Sequence, residues 1–167
     1  DKVLVGKNYH APWQGGFGTS LSYIGISLSA NFSWVADRWM FNNDRFFEES
    51  NGLYTVYNQS RRLLYDRWKK PGDVTDIPRY GITPQMDSRF LEDASFLRLK
   101  NLTLGYAVPQ NWLEKTHFFD SARIYVQGQN LLTFTKFSGI DPESSSNIYA
   151  AQYPMSRQFT LGIELSF

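Results

Sequence analysis

The sequence has no cysteine, only two histidines (His10 and His117), and no apolar run long enough for a membrane-spanning helix, which needs roughly 20 residues. The lack of cysteine excludes disulfides, thiolate-bound zinc and cysteine nucleophiles, and says little about compartment. No basic and apolar leader resembling a signal peptide opens the 167 residues. Charge of one sign is also scarce. Seventeen basic against sixteen acidic side chains leave +1, too little for a nucleic-acid binder that must neutralise phosphates. Catalytic constellations are missing as well. The two histidines lie far apart, and no serine sits in a nucleophile elbow. Glu164 has no specified carboxylate partner, so glycosidic chemistry is unsupported. Gly15-Gly16-Phe17-Gly18 opens a strand instead of leading one into a helix, so it is no phosphate loop. Glycosylation sequons at Asn31, Asn58 and Asn101 carry no meaning without that machinery. No enzyme activity and no cofactor are expected.

Aromatic residues are abundant, at 17% of the chain, although the mean hydropathy stays polar at −0.40. Alternation reconciles the two. Phe159, Leu161, Ile163, Leu165 and Phe167 alternate with Gln158, Thr160, Gly162, Glu164 and Ser166. Ile26, Leu28, Ala30, Phe32 and Trp34 alternate with serines and Asn31, and Phe17, Leu21 and Tyr23 precede them on the same period. Leu102, Leu104, Tyr106 and Val108 continue the pattern, as do Ile124, Val126, Leu132 and Phe134. Period two means strands. The expected strands cover about 14–22, 26–38, 96–108, 122–135 and 157–167, joined first by a tight turn at Tyr23-Ile24-Gly25. Strands of about ten residues exceed the globular norm and match tilted membrane strands. Their polar faces of Ser, Thr, Asn, Gln and Gly suit a wet lumen.

Connections alternate between short (23–25, 109–121) and long (39–95, 136–156), as in an outer-membrane barrel with short periplasmic turns and long extracellular loops. The first long loop is too large to be an idle connector. Within it, the pattern predicts a helix over 58–68 with Asn58 as N-cap, stopped at Pro71-Gly72-Asp73. One helical turn is expected at Asn111–Thr116. Five strands cannot close a membrane barrel, which needs about eight or more, and an open edge in lipid leaves backbone groups unpaired. The fold class expected is therefore all-β, a membrane-spanning antiparallel segment of a larger barrel.

Three stretches resemble the C-terminal part of the SusC/RagA family of TonB-dependent outer-membrane transporters. They are Ala94-Ser-Phe-Leu-Arg-Leu-Lys-Asn-Leu-Thr-Leu-Gly-Tyr-Ala-Val-Pro109, residues 122–143 from Ala122-Arg-Ile-Tyr-Val-Gln-Gly-Gln-Asn through Asp141-Pro142-Glu143, and Tyr153-Pro154 followed by Arg157–Phe167. Val5-Gly6, Gly15-Gly16-Phe17, Asp66-Arg67-Trp68 and Thr75-Asp76-Ile77-Pro78-Arg79 add weaker matches in the same order. The resemblance implies a barrel of about 22 strands with a plugged lumen. It also implies coupling to TonB and a SusD-like surface lipoprotein as lid, in a Gram-negative outer membrane. The imported solutes would be oligosaccharides or oligopeptides. The plug and the TonB-contacting segment lie outside these residues. Thr160, Gly162, Leu165 and Phe167 resemble a barrel-assembly signal.

Other positions carry expectations of their own. Tyr23, Trp34, Trp39, Tyr106 and Trp112 are read as interfacial aromatics at the lipid headgroups. Arg98 and Lys100 share sequence parity with lipid-facing Leu102 and are read as lipopolysaccharide contacts. Tyr54, Tyr57, Tyr65 and Trp68 either pack the loop on itself or touch a lid or ligand. Asp44, Glu48, Glu49, Asp73 and Asp76 lack a calcium-loop spacing and read as a solvated acidic loop, and Asp141-Pro142-Glu143 reads as a turn. Rival readings are a passive outer-membrane barrel and a soluble β-sandwich that binds carbohydrate.

Overall fold

A computed structural model describes residues 3–116 and 118–167, so His117 lies outside the described residues. The elements in chain order begin with β1 (Trp13–Tyr23), β2 (Ile26–Ala36), β3 (Trp39–Asn42), α1 (Asn43–Glu48) and α2 (Arg62–Tyr65). They continue with β4 (Leu91–Asp93), β5 (Phe96–Ala107), α3 (Gln110–Leu113), β6 (Ser121–Thr135), β7 (Ile148–Tyr149) and β8 (Gln158–Ser166). These segregate into two compact units.

The first unit is one antiparallel sheet in the order β1-β2-β5-β6-β8. Its strands run from 9 to 15 residues. β1 and β2 form a two-residue hairpin in which both Ile24 (φ 45°) and Gly25 (φ 78°) have positive φ. That signature of a type I′ turn matches the strand twist, although a β-branched residue at the first position is uncommon. The tight turn and the 108–120 connector lie at one end of the sheet. Both long connections leave from the other end, where Trp13 pairs with Ala36 and Phe96 with Val35 and Thr135.

A bulge interrupts the ladder midway. Asn31 pairs with Asn101 and Phe32 with Leu99, so Lys100 is an extra residue in β5. Beside it, Leu99 faces Leu132 while Asn101 faces Gln129, with Asn130 of β6 at φ 53°. An extra residue reverses side-chain parity across the bulge. Leu97 and Leu99 thereby return to the face of Leu102 and Leu104.

The second unit gathers residues 3–12, 37–95 and 136–154. A small sheet in the order β4-β3-β7 holds its centre, with Met40, Ala94, Phe137 and Tyr149 buried and Tyr9 packed against them. The Ile140 amide donates to the Tyr149 hydroxyl at 3.0 Å, so the buried ring keeps its polar tip satisfied. Chain that reads as irregular loop thus owns a core. The expected helix over 58–68 shrinks to α2, whose N-cap position is Arg61 and makes no side-chain cap bond. Asn58 caps nothing there. The stronger helix is α1: Asn42 accepts from the Arg45 amide at 3.1 Å, and Asp44 sits in the first turn. The expected strand to residue 38 ends at Ala36, before Asp37 at φ 56°.

Candidate functional site

The strand register places most of the large apolar side chains of the five-stranded sheet on one face, with Val35, Phe96 and Tyr125 on the other. Phe17 lies opposite Phe32, with stacked rings 4.9 Å apart, and Leu21 opposite Leu28. Leu28 continues to Leu104, Val126 and Leu161 in one row across four strands. A second row joins Ile26, Tyr106, Ile124 and Ile163. These side chains are open: Leu104 is 52%, Leu161 72% and Phe159 74% exposed. A contiguous apolar face of this extent in water marks a membrane or partner surface. No described helix is long and apolar enough to cross a membrane.

The opposite face is polar. Ser29, Thr103, Gln127 and Thr160 form one row, and Ser33, Arg98 and Thr133 another. The glycines here lie beneath larger neighbours. A Cβ on Gly105 would come within 2.8 Å of the Arg123 guanidinium, which also pairs with Glu164 at 3.1 Å. A Cβ on Gly162 would overlap the Tyr125 ring that lies across it. The ring shields the glycine backbone on a strand. Gly162→Val in the full-length protein is therefore expected to destabilise the barrel by about 1–3 kcal/mol through overpacking. Gly162→Val combined with Tyr125→Ala should recover most of the loss. Denaturant unfolding followed by heat-modifiable gel mobility reads both, and equal loss in the single and double variants would refute the contact.

In the second unit an ion-pair clasp joins distant parts of the long loop. Glu49, whose side chain is 1% exposed, receives Arg45 at 3.0 Å and Arg62 at 2.7 Å on one oxygen. The same two arginines hold Asp76 at 3.0 and 2.7 Å, and Arg45 reaches Glu92 at 3.2 Å. Burial raises the Asp76 carboxyl, but the hydrogen bond and charge of Arg62 and the charge of Arg45 outweigh it and hold it below the ordinary carboxylate value. Arg45 and Arg62 are both raised, since Glu49 and their other carboxylate partners outweigh their burial. Glu92 also accepts the Ser138 amide and hydroxyl, each at 2.9 Å, tying the two long loops together. Buried Arg38 donates to the carbonyls of Pro142 and Ser144, which makes the Asp141-Pro142-Glu143 turn a docking point.

No family model matches the chain. Among curated proteins it is similar to TonB-dependent receptor P3 of Formosa agariphila, at 38% identity over 150 residues, which is 76% of this chain and 15% of that protein. It is also similar to TonB-dependent receptor SusC of Bacteroides thetaiotaomicron, at 40% identity over 82 residues, 49% of this chain and 8% of that one. Among solved structures, the RagAB peptide importer in its open-open state superposes with a TM-score of 0.89 and 42% identity, over 98% of this chain and 18% of that one. The chain belongs to the SusC/RagA family of TonB-dependent receptors. It spans less than a fifth of the length of these relatives.

Within this SusC/RagA-family chain, the residues singled out from sequence distribute unevenly. Thr160 and Gly162 lie on the polar face of β8 and Leu165 on the apolar one, with Phe167 just beyond, stacked 6.2 Å from Phe118. Tyr23, Tyr106 and Trp112 lie toward the short-turn end and are exposed, and Trp34 covers Gly15 toward the long-loop end. Trp39 departs from that set. It belongs to β3 in the other unit, under the Lys7 ammonium at 3.8 Å, and donates to Asp37 at 3.0 Å. The bulge at Lys100 also overturns one inference. Arg98 stands on the face opposite Leu102 and is 2% exposed, so the shared parity that put it beside lipopolysaccharide does not hold for Arg98, while Lys100 is the inserted residue itself.

Tyr54 and Tyr57 join Phe46 and Phe47 in a ring cluster at 4.9–6.5 Å, whereas Tyr65 is exposed beside Arg61. Trp68 lines a cleft of about 1040 Å³. The loop acids are not simply solvated. Glu49 and Asp76 are arginine-bound, Asp44 accepts the Ala151 amide, and Asp73 accepts the Lys69 and Lys70 amides. Glu49 and Asp76 thus face two guanidiniums, which repel a dication. Sequence reasoning missed the clasp. Its one local signal is Asn42 capping a helix with Arg45 and Glu49 four residues apart.

Proposed function

We propose that the chain forms a stretch of wall and two extracellular loops of an outer-membrane importer. The importer takes up oligosaccharides or oligopeptides with a SusD-like surface lipoprotein and is energised by TonB. The observation that carries this reading is the sheet itself. It has five long strands, one continuous exposed apolar face and one polar face. Lipid satisfies the first face and a water-filled lumen the second. Similarity to a protein described as a peptide importer supports the transport role.

The end bearing the two-residue turn is then periplasmic, and the clasped loop unit is extracellular. Tyr23, Tyr106 and Trp112 would mark the inner headgroup level and Trp34 the outer one, where amphipathic rings are favoured. Thr160, Gly162, Leu165 and Phe167 would serve recognition by the insertion machinery. In the loop, the exposed Tyr57 and Tyr65 are the candidates for lid contact, while Tyr54 is occupied with packing.

The test uses cells in which the full-length receptor is the sole route for fluorescently labelled oligopeptides or oligosaccharides. Uptake is expected for one of the two classes and should stop when TonB is deleted. Uptake that persists without TonB would identify a passive barrel instead.

A further inference from the structure

The cleft in the loop unit carries more charge than its own structure uses. Two guanidiniums, Arg79 and Arg89, line it, and neither forms an ion pair among the described residues. Arg89 donates through Nη1 to the Asp76 carbonyl at 3.2 Å and lies 4.3 Å over the Phe90 ring. Its Nε is buried without an acceptor. Arg79 is exposed; its backbone carbonyl accepts Asn51 at 2.7 Å, while its side chain has no such tether. Asp76, an acid lining the same cleft, is already shared by Arg45 and Arg62. Asp87 spends one oxygen on the Arg89 amide at 2.8 Å. Beside the cations lie apolar surfaces from Trp68 and Pro84.

We propose that this cleft binds the carboxylate of a ligand, with Arg79 and Arg89 as its anion contacts and an adjoining apolar group against Trp68. Guanidinium forks match carboxylates in geometry, and a mostly apolar recess with a few fixed polar groups is the common form of a ligand site. A carboxylate of this kind is supplied by the C-terminus of a peptide or by an acidic sugar. Only the choice between these sources rests on the import reading.

Full-length receptor in detergent is titrated with N-acetyl-Leu-Phe, its C-terminal amide, and trigalacturonate. At least one acid should bind, and where it is the peptide, about tenfold or more tighter than the amide, as expected for a charge-assisted contact. Arg79→Gln should remove about fivefold or more of that affinity, Arg79→Lys should restore part, and Arg67→Gln, outside the cleft over Tyr80, should change nothing. Arg79 is exposed, so its variants are expected to fold, and surface levels check this. Equal binding of acid and amide, no binding by either acid, or an unaffected Arg79→Gln would overturn the proposal. Binding without TonB-dependent uptake in cells would instead count against import while leaving the carboxylate site standing.

Discussion

Arginine in place of Leu104 is expected to remove the full-length receptor from the outer membrane, whereas arginine in place of Thr103 is expected to leave it there. The two positions are adjacent on β5 but face opposite ways. Leu104 lies between Leu28 and Val126 on the apolar face, and Thr103 between Ser29 and Gln127 on the polar one. A lipid-facing arginine costs about 2–4 kcal/mol near the bilayer centre, while a lumen-facing one stays in water. The expected loss is about tenfold or more in outer-membrane protein for Leu104→Arg and little change for Thr103→Arg. Immunoblots of separated membranes read it. Equal levels of the two variants would mean that lipid does not cover this face, and the membrane reading would fall with it.

The second large effect is expected at Glu49. Removing this carboxylate leaves Arg45 and Arg62 facing each other with only Asp76 and the flanking acids to separate them. Breaking a buried pair costs about 3–5 kcal/mol, and the lower end applies because the Arg62 side chain is 38% exposed and screened. Glu49→Ala should open the loop locally. Hydrogen exchange is expected to accelerate at the Ser60 amide, which donates to Glu48, while amides of the five-stranded sheet stay protected. Glu49→Gln keeps an acceptor for the arginines and should open less.

Acid should loosen the same clasp. The folded Asp76 carboxyl sits below its ordinary value, so its contribution is complete above that value and is lost as pH falls through the lowered one. Loop exchange that is insensitive to both Glu49→Ala and low pH would show that the clasp does not hold the loop.

Much of the wall was legible without coordinates. Alternation over ten residues specifies a strand and its buried parity at once, because successive side chains must point to opposite faces. The observed ends of β1, β2, β5, β6 and β8 fall within one or two residues of those read from the pattern. Arg98 shows where that logic stops. Parity counted along β5 fails at Lys100, where the apolar phase slips from Leu97 and Leu99 to Leu102 and Leu104, and a parity carried straight through that slip puts Arg98 on the wrong face.

The loops were far less legible. Apart from Arg45 and Glu49, which lie one helical turn apart, the partners in the clasp are 13 to 47 positions apart, and each reads locally as an ordinary surface charge. The short strands β3, β4 and β7 are likewise too brief to show a period, and they exist because β3 finds partners on both sides.

The sequence by itself determined that this protein is a membrane-type β wall, through strand length, alternation and the contrast of short and long connections. Only the tertiary structure decided which cations lie on the polar face of the sheet and which acids are neutralised. It also decided that the long loops fold around a core of their own. The physical reason is range. Side-chain periodicity is set by the backbone of one strand, whereas bulges, ion-pair clasps and buried loop cores depend on contacts between segments far apart in the chain.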